Sequence, residues 1–75
     1  MQKVTNLYEA KRGKPFTVAS VPNISLLTGL GLRVGTKIAV QNRFSLGGPV
    51  ILRVEDAFSI AVGKDVATQI AVGEQ

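Results

Sequence analysis

Apolar side chains recur at every second position in five short segments of this chain. That period is typical of a β-strand with one buried face. Glycine and proline occupy the gaps between the segments, and both favour tight turns. The pattern therefore predicts a mainly antiparallel, all-β barrel of five strands. The predicted strands are residues 16–21, 36–44, 50–54, 58–62 and 70–72.

The alternation also predicts which strand residues face the interior. In the second strand, Ile38 and Val40 are expected to point inward, and so is Asn42 or Phe44. The expected outward positions are Lys37, Ala39, Gln41 and Arg43. In the fourth strand, one face carries Phe58, Ile60 and Val62. The phenylalanines lie among apolar residues, so we assign all three, Phe16, Phe44 and Phe58, to the core.

One short α-helix is predicted between the first and second strands. Asn23 is a suitable N-cap, and residues 24–30 give about two turns. Gly31 follows as a helix stop that takes a positive φ without strain, and Gly35 makes the turn into the next strand. Gly29 weakens this helix by about 1 kcal/mol relative to alanine. The helix therefore depends on packing its apolar face against the barrel, through Ile24, Leu27 and Leu30.

The composition limits the chemistry that the chain can perform. Its 75 residues, 45% of them hydrophobic, predict one domain over residues 1–75 with a core over about residues 7–72. There is no cysteine and no histidine, so disulfides, thiolate ligands and imidazole groups are excluded. The adjacent carboxylates Glu55 and Asp56 belong to a predicted tight reversal and form a poor acid–base pair. We therefore predict no catalytic residues, no cofactor and no metal site, and hence no enzyme.

The charge balance favours a soluble cytoplasmic protein. Nine Lys and Arg against five Asp and Glu give a net charge of +4, which is ordinary for a small domain. The locally dense basic stretch is short and covers residues 11–14. It has no series of stacking aromatics beside it, so nucleic acid is not an expected partner. No apolar run reaches the length of a membrane-spanning helix, and no signal peptide precedes the first strand.

The order of these parts resembles the FeoA family, which comprises small SH3-like barrels associated with bacterial ferrous-iron uptake. Residues 30–35 match the family's Leu-Gly-Leu-x-x-Gly turn, and residues 38–40 match its Ile-x-Val strand. Residues 47–49 match its Gly-Gly-Pro hairpin, and residues 67–72 match its Ala-x-x-Ile-x-Val end. The similarity extends over residues 7–72. Two segments depart from the family pattern. The helix of residues 23–29 is shorter than in most of the family and lacks the arginines found there, and residues 60–63 occupy the place of a Leu-Arg pair.

The resemblance implies a non-enzymatic accessory protein of ferrous-iron uptake. It would dock on the cytosolic side of the membrane transporter FeoB and modulate it. The alternative is a stand-alone regulatory or protein-interaction module related to the C-terminal domain of iron-dependent repressors, with weak transition-metal binding. The chain lacks the DNA-binding helix–turn–helix of those repressors, which disfavours this second function.

A partner surface is predicted on the helix and the turn that follows it. Leu26 lies about 100° around the helix from Leu27, away from the buried face. An apolar residue there is a candidate contact for the transporter or for a second copy of the chain. The predicted interface residues are Leu26, Leu27, Leu30, Leu32 and Arg33, and the second choice is the hairpin tip of Leu46, Gly47 and Gly48.

Overall fold

The structure, a computed structural model, describes residues 4–23, 25–44 and 46–74, without the side chains of Leu26 and Thr28. Its strands form one antiparallel sheet in the order β1-β6-β2-β3-β4-β5. The mainly antiparallel β architecture predicted from the sequence is therefore confirmed. In chain order, the elements are β1 (Val4–Asn6), a 3-10 turn (Leu7–Glu9), β2 (Pro15–Ser20), α1 (Ser25–Gly29), β3 (Lys37–Arg43), β4 (Val50–Val54), β5 (Phe58–Val62), α2 (Lys64–Ala67) and β6 (Ala71–Glu74).

The sheet has six strands among these residues, one more than the sequence pattern predicts. The additional strand, β1, is only three residues long, which is too short for an alternating pattern to be recognised. It pairs with the end of the chain, with Val4 opposite Gly73 and Asn6 opposite Ala71. A second short helix, α2, connects β5 to β6.

The core is one cluster of apolar side chains on the inner face of the sheet. β4 lies between β3 and the edge strand β5 and buries alternate residues along its whole length. Leu7, from the 3-10 turn, and Ile70, just before β6, add two completely buried side chains. The strand residues in the core are Phe16, Val18, Ile38, Val40, Val50, Leu52, Val54, Val62 and Val72.

A β-bulge in β3 changes which of its residues face inward, compared with the sequence prediction. Ile38 and Val40 are buried as predicted, but the pairing with β4 shifts between Val40 and Asn42. An extra residue reverses which side chains share a face. Arg43 therefore lies opposite the buried Val50 and is half-buried. Asn42 and Phe44, predicted to point inward, are exposed.

The inner face of β5 is buried only at its C-terminal end. Phe58 is 44% exposed and Ile60 is half-buried, whereas Val62 is buried. The strand therefore diverges from the core towards its start. This corrects the assignment of Phe58 to the core, whereas Phe16 lies in the core as predicted.

Helix α1 ends in a Schellman-type arrangement. Gly31 has a φ of +85°, and the N–H of Leu32 donates to the carbonyl of Leu27 at 2.9 Å. Leu27 and Leu32 are both buried, which supplies the hydrophobic contact that usually accompanies this motif. The positive φ predicted for Gly31 is therefore present. Ile24, predicted to share the helix's buried face, lies outside the described residues.

The loop after α1 is held by the hydroxyl group of Thr36, a buried polar residue. Its Oγ1 donates to the carbonyl of Gly31 at 3.0 Å and accepts from the N–H of Arg33 at 3.2 Å. Backbone bonds tie the same loop to β2, because Gly35 N donates to Val18 O and Val18 N donates to Thr36 O, each at 2.9 Å. The loop thus has a fixed shape.

Within the described residues, no helix is both long enough and apolar enough to cross a membrane.

Alanine substitutions at two neighbouring glycines should change stability in opposite directions. Gly31→Ala places a Cβ at positive φ and should lower the free energy of unfolding by about 1–2 kcal/mol. Gly29→Ala, at a helical position with nothing within 4 Å of the new Cβ, should raise it by up to about 1 kcal/mol. Urea denaturation of both variants measures the difference. If both substitutions change the free energy of unfolding equally, α1 does not end in a Schellman motif.

Removing the Thr36 hydroxyl should destabilise the protein. Thr36→Val keeps the side-chain shape but leaves the N–H of Arg33 and the carbonyl of Gly31 without this partner. The expected loss in free energy of unfolding is about 1–3 kcal/mol. Thr36→Ser retains the hydroxyl and serves as the control. If the serine variant is the less stable of the two in thermal denaturation, the hydroxyl does not hold the loop.

Candidate functional site

An open groove lies between the loop after α1 and the turn that joins β4 to β5. Its volume is about 470 Å³, which falls within the range of small binding sites. The groove is hereafter called the β4–β5 groove. It is lined by Gly31, Arg33, Val34, Gly35, Thr36, Val54, Glu55 and Phe58.

Two exposed apolar side chains give the groove its hydrophobic surface. Val34 is 66% exposed and Phe58 is 44% exposed. A Cβ built on Gly31 would lie 3.6 Å from Cζ of Phe58, so the ring lies directly beside the glycine backbone. The divergence of β5 from the core and the tight loop after α1 together leave these side chains facing solvent.

Charged groups of opposite sign flank this apolar surface. Glu55 belongs to the turn between the strands, and its carboxylate accepts from the N–H of Lys37 at 2.9 Å. Its own N–H donates to the carbonyl of Lys37 at 2.8 Å. Arg33 is exposed, and the one ion pair found in the described part of the chain joins Lys14 to Glu74. The guanidinium of Arg33 is therefore free to meet a carboxylate from outside.

The turn that carries Glu55 is conformationally unusual. Glu55 and Asp56 have φ values of +53° and +57°, and the N–H of Ala57 donates to the carbonyl of Val54 at 2.9 Å. Positive φ at both central residues is what a type I′ turn requires. The two bonds between Glu55 and Lys37 anchor this turn to β3, so both sides of the groove are held in place without a partner.

A second exposed surface lies at the other end of β4, at the turn between β3 and β4. We call Phe44, Leu46 and Gly47 the β3–β4 tip. Leu46 is fully exposed, at 104%, and has a φ of +62°, while Phe44 is 48% exposed. A Cβ on Gly48 would lie 2.7 Å from Cβ of Phe44, so the backbone is closely packed at the base of the tip.

Two cationic groups lie beside the β3–β4 tip around one aromatic ring. The Lys64 ammonium is 5.4 Å from the centroid of Tyr8, and the Arg43 guanidinium is 6.0 Å from it. These distances are in the range of cation–π contacts. Arg43 also donates through Nη2 to the carbonyl of Ala10. A Cβ on Gly47 would lie 3.9 Å from Cδ of Lys64, which places the lysine against the turn.

Of the interface residues predicted on the helix and turn, some are buried in the core and others are accessible. Leu27 and Leu32 are buried in the core, so their side chains cannot contact a partner, and their assignment to the interface is corrected. The short helix needs both of them to close its C-terminal end. Leu30 is half-buried, and Arg33 is exposed in the β4–β5 groove. The Leu26 side chain lies outside the described residues.

The second predicted set lies away from the first. Leu46 and Gly47 are exposed and Gly48 is half-buried. β4 separates this turn from the β4–β5 groove by about 13 Å of extended chain. The two predicted surfaces are therefore distinct and lie at opposite ends of β4.

Sequence reasoning missed the two apolar residues of the groove. Val34 lies in a short segment between Gly31 and Gly35, both of which have positive φ. Leu32 fills the core position of that short segment, which leaves Val34 exposed, and the sequence carries no signal that tells the two residues apart. Phe58 follows directly after a turn at the start of an edge strand, where the core gives least cover.

The groove has the features of a protein-binding surface. It combines exposed apolar side chains, a fixed backbone and flanking charges, which are the features of an interface core and its rim. Nowhere in residues 4–23, 25–44 and 46–74 do three or more Asp, Glu, His or Cys side chains come together in a group that could hold a metal ion.

Comparison with solved structures places this fold beside FeoA proteins. The crystal structure of an iron uptake regulatory protein, FeoA, is similar with a TM-score of 0.86 and 28% identity, over 97% of this chain and 99% of that one. The FeoA protein of Chlorobium tepidum is similar with a TM-score of 0.82 and 27% identity, over 93% of this chain and 70% of that one. The small SH3-like barrel predicted from the sequence is confirmed.

The fold also occurs as part of longer proteins. A manganese-dependent transcriptional repressor matches with a TM-score of 0.87 at 18% identity, over 100% of this chain and 44% of the repressor. At that identity the similarity shows the fold alone. Comparison with the sequences of curated proteins finds no match.

Comparison of the sequence with a family model agrees with the structural similarity. The model of the FeoA domain matches residues 5–74, which is nearly the whole chain. The match includes every strand of the sheet apart from the first residue of β1. This chain belongs to the FeoA domain family.

Proposed function

We propose that this chain is a non-enzymatic accessory protein of ferrous-iron uptake. It acts in the cytoplasm, where it docks on the cytosolic side of a FeoB-type membrane transporter and modulates the transporter's activity. Membership of the FeoA domain family supports the link to iron uptake. The observation that carries the docking role is the preformed β4–β5 groove, with Val34 and Phe58 exposed in it.

The groove suits a short segment of a partner protein. Apolar side chains of the partner would cover Val34 and Phe58, which removes their hydrocarbon surface from water. A carboxylate on one flank of that segment would meet Arg33, and a donor on the other would meet Glu55. Opposite charges at the two flanks fix the direction of the bound segment. Because the loop and the turn are already held by hydrogen bonds, binding orders little of this chain.

The repressor likeness favours a second candidate function, a stand-alone regulatory or protein-interaction module. It rests on the match to a manganese-dependent transcriptional repressor over less than half of that protein. Thermal denaturation with and without Fe(II), Mn(II) or Zn(II) separates the two functions. A transporter accessory protein should show no stoichiometric stabilisation by these ions, whereas a saturable shift in melting temperature supports the second function.

Truncating the exposed valine of the groove should weaken transporter binding. Val34→Ser removes apolar contact area from the groove, and we expect the affinity for the purified cytosolic portion of the transporter to fall about tenfold. The free energy of unfolding should change by less than about 0.5 kcal/mol, because the side chain is exposed. Surface-immobilised transporter and a concentration series of each variant measure the affinity.

Val4→Ser is the matched control. Val4 is similarly exposed, at 58%, but it lies on β1 and takes no part in lining the groove. The control should bind like the unmodified protein. If both variants bind equally well, the β4–β5 groove is not the docking site. Size-exclusion chromatography of the same variants reports whether the groove holds a second copy of the chain instead.

A further inference from the structure

The identity of Leu46 is not explained by the stability of the fold. Its side chain is fully exposed, and its φ of +62° is disfavoured for any residue with a Cβ. Asparagine or glycine would suit that backbone better. Phe44 adds a second half-exposed apolar side chain at the same turn. An apolar residue at such a position points to a contact outside the chain.

Cationic side chains surround the base of the β3–β4 tip. Lys64 lies against Gly47 and over Tyr8, and Arg43 lies near the same ring. Arg43 also donates to the carbonyl of Ala10. Within the part of the chain that the structure describes, neither Lys64 nor Arg43 forms an ion pair.

The acidic residues near the tip leave it basic. Asp65 follows Lys64 in α2, and Glu9 accepts from the side-chain amide of Asn6 at 2.9 Å. Glu9 lines a separate pocket together with Lys11 and Glu74, so Asp65 is the carboxylate beside the two cations of the tip, Arg43 and Lys64. The surface is therefore an apolar apex with a positively charged base.

We propose that the β3–β4 tip binds the surface of a bilayer that contains anionic lipids. Leu46 and Phe44 enter the boundary between headgroups and acyl chains, while Lys64 and Arg43 remain at the level of the phosphates. This layering of apolar apex and cationic base matches the polarity of a lipid interface. A projecting leucine needs no shaped pocket in a bilayer, whereas a protein partner would have to supply one.

The contact is weak and reversible. It consists of two apolar side chains and two cations, and each cation contributes about fivefold to the partition coefficient. It becomes useful when a second contact already holds the chain near a membrane, because the two contacts then reinforce each other. The inference does not depend on the β4–β5 groove, which lies at the other end of β4.

Vesicle binding tests the proposal directly. The protein is sedimented with vesicles of phosphatidylcholine alone, and with vesicles of equal parts phosphatidylcholine and phosphatidylglycerol. We expect binding to the mixed vesicles only, and release at about 0.5 M salt, where surface charges are screened. Equal binding to both kinds of vesicle, or to neither, would show that the proposal is wrong.

Paired variants locate the contact on the protein. Leu46→Asn should reduce binding to the mixed vesicles about tenfold while keeping the positive φ acceptable. Lys64→Gln should reduce it about fivefold. The matched controls, Val4→Asn and Lys37→Gln, change an exposed apolar residue and an exposed lysine away from the tip and should bind normally.

An inserted reporter separates lipid contact from protein contact. The chain contains no tryptophan, so Leu46→Trp introduces a single indole. Its emission should shift to shorter wavelength with mixed vesicles, whereas that of Val4→Trp should not. If Leu46→Asn and Lys64→Gln leave vesicle binding intact but weaken binding to the transporter's cytosolic portion, the tip contacts protein and the lipid proposal fails.

Discussion

Burial of alternate strand residues in one shared interior is the interaction on which the rest of this structure depends. A chain of 75 residues has little surface to bury, so nearly all its hydrophobic stabilisation must come from a single cluster. The sheet curves until its inner side chains meet. Leu7 and Ile70 then complete the cluster, and the N–H of Leu7 donates to the carbonyl of Ile70 at 2.8 Å.

This core decides where exposed apolar side chains can occur. β4 lies inside the sheet, and its alternate residues are fully covered. Its two ends, by contrast, lead into turns that the core cannot reach. One end carries the β4–β5 groove and the other carries the β3–β4 tip, so the two proposed surfaces face different surroundings. The groove is concave and flanked by both signs of charge, whereas the tip is convex and basic.

The sequence predicted the parts of the fold that leave a local signal. The alternation placed Ile38 and Val40 correctly in the core, and the spacing of Gly31 and Gly35 predicted the turn after the helix. The bulge beside Gln41 has no comparable signature, because it is set by pairing with β4. The helical period places Leu27 on the buried face, where it lies, and argues against its assignment to the interface. Leu32 follows the helix, where that period gives no information. Exposure of Phe58 follows from its position on an edge strand, which only the sheet order reveals.

The pairing of β1 with β6 has a consequence for how the chain folds. The strands β3, β4 and β5 are joined by short turns, so their pairing closes small loops at low entropic cost. β1 and β6 come from opposite ends of the described chain, with Val4 opposite Gly73. Their pairing closes the longest loop among the described residues and has the highest entropic cost. We therefore expect the barrel to form outward from the β3–β4–β5 meander, with β1 pairing late.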